Sequence, residues 1–265
     1  MKRILITGKN SYVGNSFEKW LSRYPDDYVI EKISLRDESW KEHDFSKYDV
    51  VYHVAAIVHK KEKPDMKSLY FKINRDLTVE LAKKAKNSGV KQFIFLSTMA
   101  VYGLEGELER KVIINRKTKP SPKTFYGKSK LEAEYELQKL SDNNFKVLIL
   151  RPPIIYGRNC PGNYARLEYF AKKAVIFPLI NNQRSMLNID KLNNLVKTYI
   201  DQEANGIYFP QDDDYTNTSY LVKKLGEKNG KKIYLSPLLG KFILIFGKKS
   251  SIIKKVFGNL VYEKE

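Results

Sequence analysis

Cysteine and histidine are scarce in this sequence of 265 residues, which has one cysteine, Cys160, and three histidines. A lone thiol cannot form a disulfide within the chain, and neither residue type occurs at a metal-binding spacing, so we expect no metal site. No apolar run reaches about 18 residues, the length of a membrane-spanning helix. The first seven residues have the pattern of a buried strand rather than of a signal peptide. These absences predict a cytoplasmic protein.

Acidic residues are in deficit, because 48 lysines and arginines stand against 30 aspartates and glutamates and leave a formal charge of +18. A basic surface can bind nucleic acid, an acidic membrane or an anionic small molecule. The lysines are dispersed and do not alternate with stacking aromatic residues, so we expect no nucleic-acid binding. We interpret most of the charge as the solvated helix faces of a lysine-rich sequence.

The stretch 240–260 is a partial exception, because five lysines there are interleaved with phenylalanine, isoleucine and valine. The pattern predicts either a pair of helices packed on a small lobe or an amphipathic helix at an anionic membrane surface. We favour packing, with membrane contact by this basic C-terminal stretch as the alternative.

Hydrophobic residues make up 42% of the chain, enough for a packed core, and the first half alternates short apolar runs with helical patterns. The predicted strands are 3–7, 28–35, 50–55, 92–97 and 146–151, and the predicted helices are 14–24, 69–88 and 126–140. Strands separated by helices indicate βαβ units. The expected fold class is therefore α/β, with a doubly wound parallel sheet.

Beyond residue 151 the regular alternation is lost. Loops, short helices and scattered asparagine and proline predict a smaller lobe that closes over a cleft, and 207–210 is expected to return to the sheet as a late strand. We therefore expect a first domain over 1–157, with a late return strand near 185–210, and a smaller lobe over 158–265. The two lobes are expected to interleave.

A glycine-containing turn follows the first predicted strand and precedes a helix. A tight turn at this place lets main-chain N–H groups approach a pyrophosphate at the helix N-terminus. Gly8 suits the turn and Gly14 lets the helix lie close to the strand, while Ser11 stands where a middle glycine is usual and can cap the helix. The residues predicted to bind a dinucleotide here are Gly8, Asn10, Ser11, Tyr12, Val13 and Gly14.

The end of the second predicted strand bears on the form of the dinucleotide. A carboxylate at this place takes the ribose hydroxyls of NAD, whereas an arginine accommodates the 2′-phosphate of NADP. The sequence has Arg36 and Asp37 in succession. We favour NADP(H) as the cofactor, with NAD(H) as the alternative.

Tyr126 and Lys130 stand four residues apart at the start of a predicted helix, which places them on one face. A phenol has a pKa of about 10, and a nearby ammonium and a positively charged nicotinamide both favour its phenolate form. Tyr126 can then exchange a proton with a carbinol while the carbinol is oxidised or its ketone reduced. A hydroxyl from Thr98 or Ser97, at the end of the fourth strand, would hydrogen-bond the reacting oxygen.

These motifs, in this order, resemble those of the extended short-chain dehydrogenases, the nucleotide-sugar epimerase/dehydratase family, over nearly the whole chain. The resemblance rests on the segments 7–14, 53–56, 97–103, 126–130 and 151–153 and on Asn74. It implies a Rossmann-type NAD(P)-binding domain, a nucleotide-sugar-binding lobe and a catalytic triad of Thr98, Tyr126 and Lys130. It also implies a homodimer formed through the helices 69–88 and 126–140.

The resemblance also implies further cofactor contacts besides the phosphate loop, Arg36, Tyr126 and Lys130. They are Asp44 and Phe45 beside the adenine, Val54, Ala55 and Ala56 along the middle of the cofactor, and Asn74, Ser97 and Pro153.

Within the family the chain looks most like capsule- and O-antigen-associated enzymes, on the segments 160–167 and 182–190. An arginine in the second segment suits phosphate oxygens because of its planar fork. The substrate contacts that this likeness implies are Thr98, Met99 and Tyr126, with Asn163 and Arg184 on the UDP portion. The expected function is reduction of a UDP-4-keto-6-deoxy-N-acetylhexosamine at C4, in surface polysaccharide biosynthesis.

Two other functions stay open. A UDP-glucose/UDP-GlcNAc 4-epimerase would use the same tyrosine but keep its NAD tightly bound. A catalytically silent NAD(P)-binding sensor or scaffold is the alternative of another class, and the presence of both Tyr126 and Lys130 argues against it. Dehydration is disfavoured because Met99 and Ala100 stand where the 4,6-dehydratases of the family carry Asp-Glu.

Overall fold

The computed structural model describes residues 1–58 and 62–264. The strands are β1 (Lys2–Thr7), β2 (Tyr28–Ile33), β3 (Val50–His53), β4 (Gln92–Leu96), β5 (Val112–Ile114), β6 (Lys146–Leu150), β7 (Ile154–Tyr156), β8 (Ile176–Pro178), β9 (Met186–Asn188), β10 (Gly206–Tyr208), β11 (Tyr234–Ser236) and β12 (Leu260–Tyr262). The α-helices are α1 (Tyr12–Leu21), α2 (Lys67–Phe71), α3 (Leu77–Asn87), α4 (Phe125–Leu140), α5 (Asn163–Lys173), α6 (Ile189–Asp201), α7 (Thr218–Lys228), α8 (Pro237–Phe246) and α9 (Ser251–Phe257).

The chain forms two compact units, each built from separate segments. The first unit consists of Met1–Gly103, Pro120–Pro152 and Ile189–Pro210. The second unit consists of Leu104–Lys119, Pro153–Asn188 and the chain from Gln211 onward. The chain thus leaves the first unit at Pro152, close to the predicted domain boundary after residue 157. The assignment of a separate function to each domain stays a prediction.

A six-stranded sheet forms the centre of the first unit, in the order β10-β6-β4-β3-β1-β2. Every neighbouring pair in it is parallel. This confirms the predicted α/β fold with a Rossmann-type parallel sheet, including the late strand, which is β10. The chain passes from β1 to β2 on one side and to β3 on the other, so the carboxyl ends of β1 and β3 form the crevice where such sheets bind ligands.

Alternate residues of the strands point to opposite faces of the sheet. On one face, Leu5, Val51 and Phe93 pack into a buried cluster with Leu81 of α3 and Leu137 of α4. On the other face, α1 and α6 lie together: Phe17 of α1 contacts the ring of Tyr52 edge-on, with ring centroids 5.3 Å apart. Asn193 Nδ2 of α6 donates to Ser16 Oγ at 2.9 Å.

Element boundaries differ from the sequence predictions where a side chain decides them. Helix α1 begins at Tyr12, two residues before the predicted start, because the Ser11 side chain caps it. The predicted helix 69–88 is present but contains a π-helical turn, Lys72–Asp76, between α2 and α3. Strand β2 ends at Ile33, two residues before the predicted end at Leu35.

The second unit contains three two-stranded parallel pairs, β7 with β9, β5 with β12, and β8 with β11. The pairing of β5 with β12 joins segments far apart in sequence. It is supported by a close approach of two glycines, because a Cβ atom on Gly106 would lie 2.5 Å from the carbonyl carbon of Gly258. This long-range pairing explains why segment 104–119 belongs to the second unit.

Candidate active site

The turn after β1 has the tight geometry that a phosphate loop needs. Gly8 has a φ of +97°, and a Cβ atom on it would lie 3.1 Å from the main chain of Ala55. A Cβ atom on Gly14 would lie 2.9 Å from Cγ2 of Ile6. Ser11 Oγ accepts from the N–H of Gly14 at 2.8 Å and so caps α1. The predicted turn, close packing and cap are confirmed.

The N-terminus of α1 is suited to an anion. No acidic residue lies in its first turn, so no protein carboxylate competes for the positive end of the helix dipole. Asn10 is exposed at the turn, and Tyr12 and Val13 are partly exposed on the first turn of the helix. These properties fit a dinucleotide pyrophosphate held by the residues from Gly8 to Gly14. The individual contacts stay predictions.

The segment after β2 contains Arg36 and Asp37, the two residues that bear on the form of the dinucleotide. The Asp37 carboxylate accepts from the N–H of Ser39 at 3.0 Å and also from its hydroxyl, and these hydrogen bonds lower the pKa of Asp37. Asp37 is therefore engaged in capping the short helix Glu38–Lys41. The Arg36 side chain is exposed. This arrangement agrees with the preference for NADP(H), which stays a prediction.

Of the residues predicted beside the adenine, Phe45 is largely inside the protein. Its ring is 1% exposed and packs in the core with Trp40 and Tyr48. Asp44 is exposed and accepts from the N–H of Ser46 at 2.9 Å. The predicted contact of the Phe45 ring with a cofactor therefore disagrees with its burial.

The residues after β3 lie at the carboxyl end of the strand, as predicted. Val54 is 8% exposed, and Ala55 and Ala56 are partly exposed. The approach of Gly8 to Ala55 brings the ends of β1 and β3 together. The small side chains at 55 and 56 keep this crevice open to a flat or extended ligand.

Asn74 is fully buried, and its side chain is hydrogen-bonded to other groups of the protein. Its side chain accepts from the N–H of Ile57 at 2.8 Å and donates to Ser129 Oγ at 3.2 Å. A direct contact with a cofactor would break one of these bonds, so the structure favours a positioning role. The hydrogen-bonded chain that includes Asn74 runs through Thr7, His53, Thr78, Asn74, Ser129 and the main-chain carbonyl of Tyr126.

Tyr126 lies in the first turn of α4, beside Thr98. Burial raises the pKa of Tyr126 to about 12, and the Thr98 side chain beside the phenol acts in the opposite direction. Thr98 Oγ1 also accepts from the N–H of Ala100 at 3.1 Å, which leaves its own proton for the phenol oxygen. Of the two hydroxyls considered, the structure therefore places Thr98 next to Tyr126.

Lys130 lies one turn further along α4 and is 1% exposed. Its ammonium donates to the main-chain carbonyl of Leu96 at 2.9 Å and lies 4.3 Å from the centre of the Phe95 ring. Burial lowers the pKa of Lys130 to about 7, although Glu134 acts in the opposite direction. The net effect of the protein groups on the Tyr126 phenol is to raise its pKa, and a lowering by Lys130 together with a bound nicotinamide stays a prediction.

Comparison with known proteins assigns the chain that carries this site to a family. The family model described as "NAD dependent epimerase/dehydratase family" matches residues 4–197, which contain both the phosphate loop and the Tyr126–Lys130 pair. The chain belongs to this family. The resemblance inferred from the motifs is therefore confirmed at the family level, and the cofactor is NAD(H) or NADP(H).

Similar proteins of the family act at C4 of sugars. A UDP-glucose 4-epimerase from Vibrio cholerae is 33% identical over 98% of this chain and 86% of that protein. An N-acetyl-alpha-D-glucosaminyl-diphospho-ditrans,octacis-undecaprenol 4-epimerase from Escherichia coli O157:H7 is 27% identical over 97% of this chain and 77% of that protein. A dTDP-4-dehydrorhamnose reductase from Bacillus anthracis, solved with NADP, shares the fold with a TM-score of 0.74 at 17% identity, over 100% of this chain and 91% of that chain.

A buried ion pair involves α4, the helix that carries Tyr126 and Lys130, and was not predicted from the sequence. The Arg151 guanidinium contacts the Glu134 carboxylate at 2.5 Å and donates to the Tyr102 hydroxyl at 2.8 Å. The Ser97 hydroxyl donates to the same carboxylate, so this predicted cofactor contact is engaged inside the protein. Glu134 lies on the buried face of α4, one turn after Lys130, and this spacing is the signal that could have revealed it.

Glu62 is a second residue that sequence reasoning did not find. Its carboxylate accepts from the N–H groups of Phe125 and Tyr126 at 2.8 and 2.9 Å. It therefore satisfies the first amides of α4 and holds the start of the catalytic helix. No local pattern marks it, because the residues that it caps are more than sixty positions away.

The remaining predicted residues are divided between the two units. Met99 is partly exposed in the first unit, where its N–H donates to the carbonyl of Pro152 at 2.9 Å. In the second unit, Pro153 is buried and Asn163 is exposed at the start of α5. Arg184, also in the second unit, donates to the carbonyl of Gly258 at 3.1 Å. Their roles as cofactor or substrate contacts stay predictions.

Proposed function

We propose that this protein inverts the configuration at C4 of a UDP-hexose by reversible oxidation to the 4-keto sugar, as a 4-epimerase. The proposal is carried by the placement of Thr98 beside the phenol of Tyr126, with Lys130 one turn further along the helix of Tyr126. The V. cholerae relative, which is named a UDP-glucose 4-epimerase, supports it. The sequence motifs alone favoured the 4-ketoreductase, whereas this relative favours the 4-epimerase.

NAD(P) supplies the two-electron redox chemistry when it is bound. Tyr126 takes the proton of the C4 hydroxyl as the carbonyl forms and returns it as the carbonyl is reduced. Thr98 donates a hydrogen bond that favours the phenolate form of Tyr126. The Lys130 ammonium, held by the Leu96 carbonyl, adds positive charge on the same face of α4.

Arg184 supports a diphosphate-containing substrate. Burial lowers the pKa of Arg184 to about 10, and within the part of the chain that the structure describes its side chain bonds to carbonyl groups rather than to a carboxylate. An arginine that is desolvated without a carboxylate partner favours an external anion. We therefore assign Arg184 to the diphosphate, with Asn163 as a further contact to the UDP portion.

A 4-ketoreductase is the second candidate function. It is favoured by the likeness of the segments 160–167 and 182–190 to capsule- and O-antigen-associated enzymes. Such an enzyme would use Tyr126 only to give a proton to the new C4 hydroxyl and would consume NAD(P)H. It would act on a UDP-4-keto-6-deoxy-N-acetylhexosamine.

A lipid-linked substrate is the second candidate substrate class. It is favoured by the E. coli relative, whose name specifies an N-acetylglucosaminyl group on undecaprenyl diphosphate. The chemistry at C4 would be the same, because a sugar diphosphate is common to both substrate classes. Only the group beyond the diphosphate would differ.

A homodimer in the cytoplasm is the assembly that we propose. The helices α3 and α4 of the first unit carry an exposed groove that includes Arg75 and Tyr135, with an Arg75–Glu132 ion pair of 2.6 Å across it. A second copy could pack its own α3 and α4 on this face to form a four-helix bundle.

The experiment that separates these functions measures products and cofactor together. Purified protein is first denatured and the supernatant examined for released NAD(P). A second, native portion of the protein is given UDP-glucose, UDP-N-acetylglucosamine or the undecaprenyl-diphosphate sugar without added cofactor. A third native portion is given UDP-4-keto-6-deoxy-N-acetylglucosamine with NADPH or NADH.

We expect the C4 epimer of one of the first three substrates to appear without net use of reduced cofactor. Consumption of NAD(P)H with the keto sugar alone would establish the reductase instead. Bound cofactor with no turnover of any substrate would contradict both enzymes and support the silent sensor.

A further inference from the structure

Helix α8 is apolar on two faces, and only one of them is covered by the second unit. Gly240 is buried, and a Cβ atom on it would lie 2.0 Å from the carbonyl oxygen of Leu179, so this face is in direct contact with the chain that follows β8. Ile243 and Leu244, one turn further along, are partly buried on the same face. The prediction that the C-terminal helices pack on the small lobe is confirmed for this face.

The other face of α8 is apolar and open to solvent. Its residues recur at the spacing of a single helical stripe, and several are more than half exposed. They are Leu238 (78%), Leu239 (40%), Phe242 (60%), Ile245 (65%) and Phe246 (69%). None of these side chains has a hydrogen-bonding group. An exposed apolar stripe of this size is unusual on a surface that faces only water, so this stripe lacks its expected surroundings.

Exposed apolar side chains continue beyond α8 on elements of the same unit. Ile252, at the start of α9, is 75% exposed. Tyr234 of β11 and Ile176 of β8 are direct partners in the parallel pair and are 55% and 53% exposed. We call the stripe of α8 the apolar surface, and these further exposed side chains lie in the same unit.

Lysines are concentrated in the same part of the chain. Residues 220–258 contain ten lysines and one acidic residue, Glu227. Only Lys223 and Lys248 form an ion pair with a carboxylate among the described residues. Lys241 lies within α8 itself, and Lys249 lies between α8 and α9, both exposed. Half of the formal excess of positive charge thus lies within these residues, which include α8.

We infer that the apolar surface docks on an anionic lipid bilayer. Apolar side chains without polar groups fit the boundary of the acyl chains, and lysines beside them fit the anionic headgroups. A second copy of the chain would fit less well, because a contact through α8 would bring the two Lys241 ammonium groups, and the lysine-rich segments around them, together. An acidic protein would satisfy the lysines but not a stripe free of hydrogen-bonding groups.

The dimensions of α8 fit a helix that lies in the interface. Its 10 residues extend about 15 Å, half of the roughly 30 Å thickness of the hydrocarbon layer. Throughout residues 1–58 and 62–264, no helix has both the length and the apolar character needed to cross a bilayer. The inference is therefore of peripheral binding by one face of α8, independent of which sugar the enzyme takes.

The test is flotation of the full-length protein with vesicles. Vesicles of equimolar phosphatidylglycerol and phosphatidylcholine are compared with vesicles of phosphatidylcholine alone. We expect the wild-type protein to float with the anionic vesicles and to be released at high salt. The double variant Phe242→Ser, Phe246→Ser should bind them at least about tenfold more weakly, because two phenyl groups no longer enter the acyl region.

The charge is tested by replacing three exposed lysines, Lys241→Gln, Lys249→Gln and Lys255→Gln. Each substitution should weaken binding to anionic vesicles about fivefold. The matched controls replace exposed residues of the first unit and should leave binding unchanged. They are Val29→Ser for the apolar change and Lys67→Gln, Lys83→Gln, Lys91→Gln for the charge change.

Three results would overturn the inference. The first is failure of the wild-type protein to bind the anionic vesicles. The second is equal binding by the wild type and both sets of variants while near-ultraviolet circular dichroism shows that all are folded. The third is a concentration-dependent dimer that Phe242→Ser, Phe246→Ser abolishes, since the apolar surface would then be an interface between copies.

Discussion

The two compact units depart from the usual distribution of side chains in opposite ways. The first unit buries charged groups, Lys130, Glu134 and Arg151, each of them no more than 5% exposed. The second unit exposes apolar groups along α8, of which Phe246 is 69% exposed. Charged residues are almost never fully buried without partners, and large exposed apolar stripes are unusual in soluble domains.

Each departure depends on a different kind of interaction. In the first unit every buried charge is held by hydrogen bonds: Lys130 to the Leu96 carbonyl, and Arg151 to Glu134 and Tyr102. Moving these charged groups out of water without partners would be unfavourable, so the hydrogen bonds are needed for folding. They also fix the positions of the charged groups near Tyr126. In the second unit nothing among the described residues covers the exposed stripe, so its surroundings must come from outside the unit.

The largest expected effect is the loss of the buried ion pair. Glu134→Ala leaves the Arg151 guanidinium buried without its carboxylate and should lower the free energy of unfolding by about 3–5 kcal/mol. The measurement is denaturant-induced unfolding. Glu132→Ala on the same helix is the control, because Glu132 pairs with Arg75 at the surface and its removal should cost about 0–1 kcal/mol. Equal losses in the two variants would mean that the Glu134–Arg151 pair contributes no more to stability than a surface pair does. The first unit would then not depend on its buried charges.

A smaller effect is expected at the phosphate loop. Gly8→Ala combines a positive φ with a clash against Ala55, whereas Gly89→Ala has a positive φ and no atom within 4 Å of the new Cβ. Gly89→Ala should therefore cost about 1 kcal/mol and Gly8→Ala about 2–3 kcal/mol. Only Gly8→Ala should weaken NAD(P)H binding, which fluorescence titration would measure. Unchanged cofactor binding in Gly8→Ala would argue against the loop as the cofactor site.

The pH dependence of stability tests the burial of Lys130. Its pKa is about 7 in the folded protein and about 10.4 in an unfolded chain. Between these values the unfolded chain binds more protons, so this group makes stability rise with pH, by up to about 1.4 kcal/mol per pH unit. Below pH 7 its contribution to the slope disappears.

Lys130→Met removes this group and should flatten the curve of unfolding free energy between pH 7 and 10 relative to the wild type. Lys128→Met, two residues earlier on an exposed position of α4, should not change the slope. Identical slopes in the wild type and Lys130→Met would mean that the ammonium is not desolvated.

The smallest effect is expected on the apolar surface of the second unit. Phe246→Ser replaces a side chain that is 69% exposed, so the free energy of unfolding should change by no more than about 0.5 kcal/mol. Thermal or denaturant unfolding would measure it. A loss above about 2 kcal/mol would show that Phe246 is part of a core, and the comparison between the units would then fail.

Most of the sheet could be predicted from the sequence because its strands are short apolar runs bounded by turn residues. β1 and β4 are such runs, and parallel strands buried on both faces require them. The π-helical turn Lys72–Asp76 could not be predicted, because it keeps the helical spacing of apolar residues. The pairing of β5 with β12 could not be predicted either, because no local pattern specifies a partner so distant in sequence.

The site was predictable where its residues are close in sequence and not where they meet only in three dimensions. Tyr126 and Lys130 share one helix, and their spacing alone brought them together. Glu62 resembles a surface carboxylate in the sequence, yet it caps α4 from more than sixty positions away. Phe45 shows the converse, because a residue assigned to the cofactor proved to be part of the core.

The measurement that tests the central claim most directly is the turnover of Tyr126→Phe on the sugar nucleotide that the wild-type protein converts. The phenol oxygen is the only heavy atom removed, so the unfolding midpoint should be unchanged and the cofactor should still bind, while kcat falls by at least about a hundredfold. Tyr135→Phe, at an exposed position of the same helix, should retain full activity. Turnover by Tyr126→Phe at the wild-type rate would contradict the assignment of Tyr126 as the proton-transferring group.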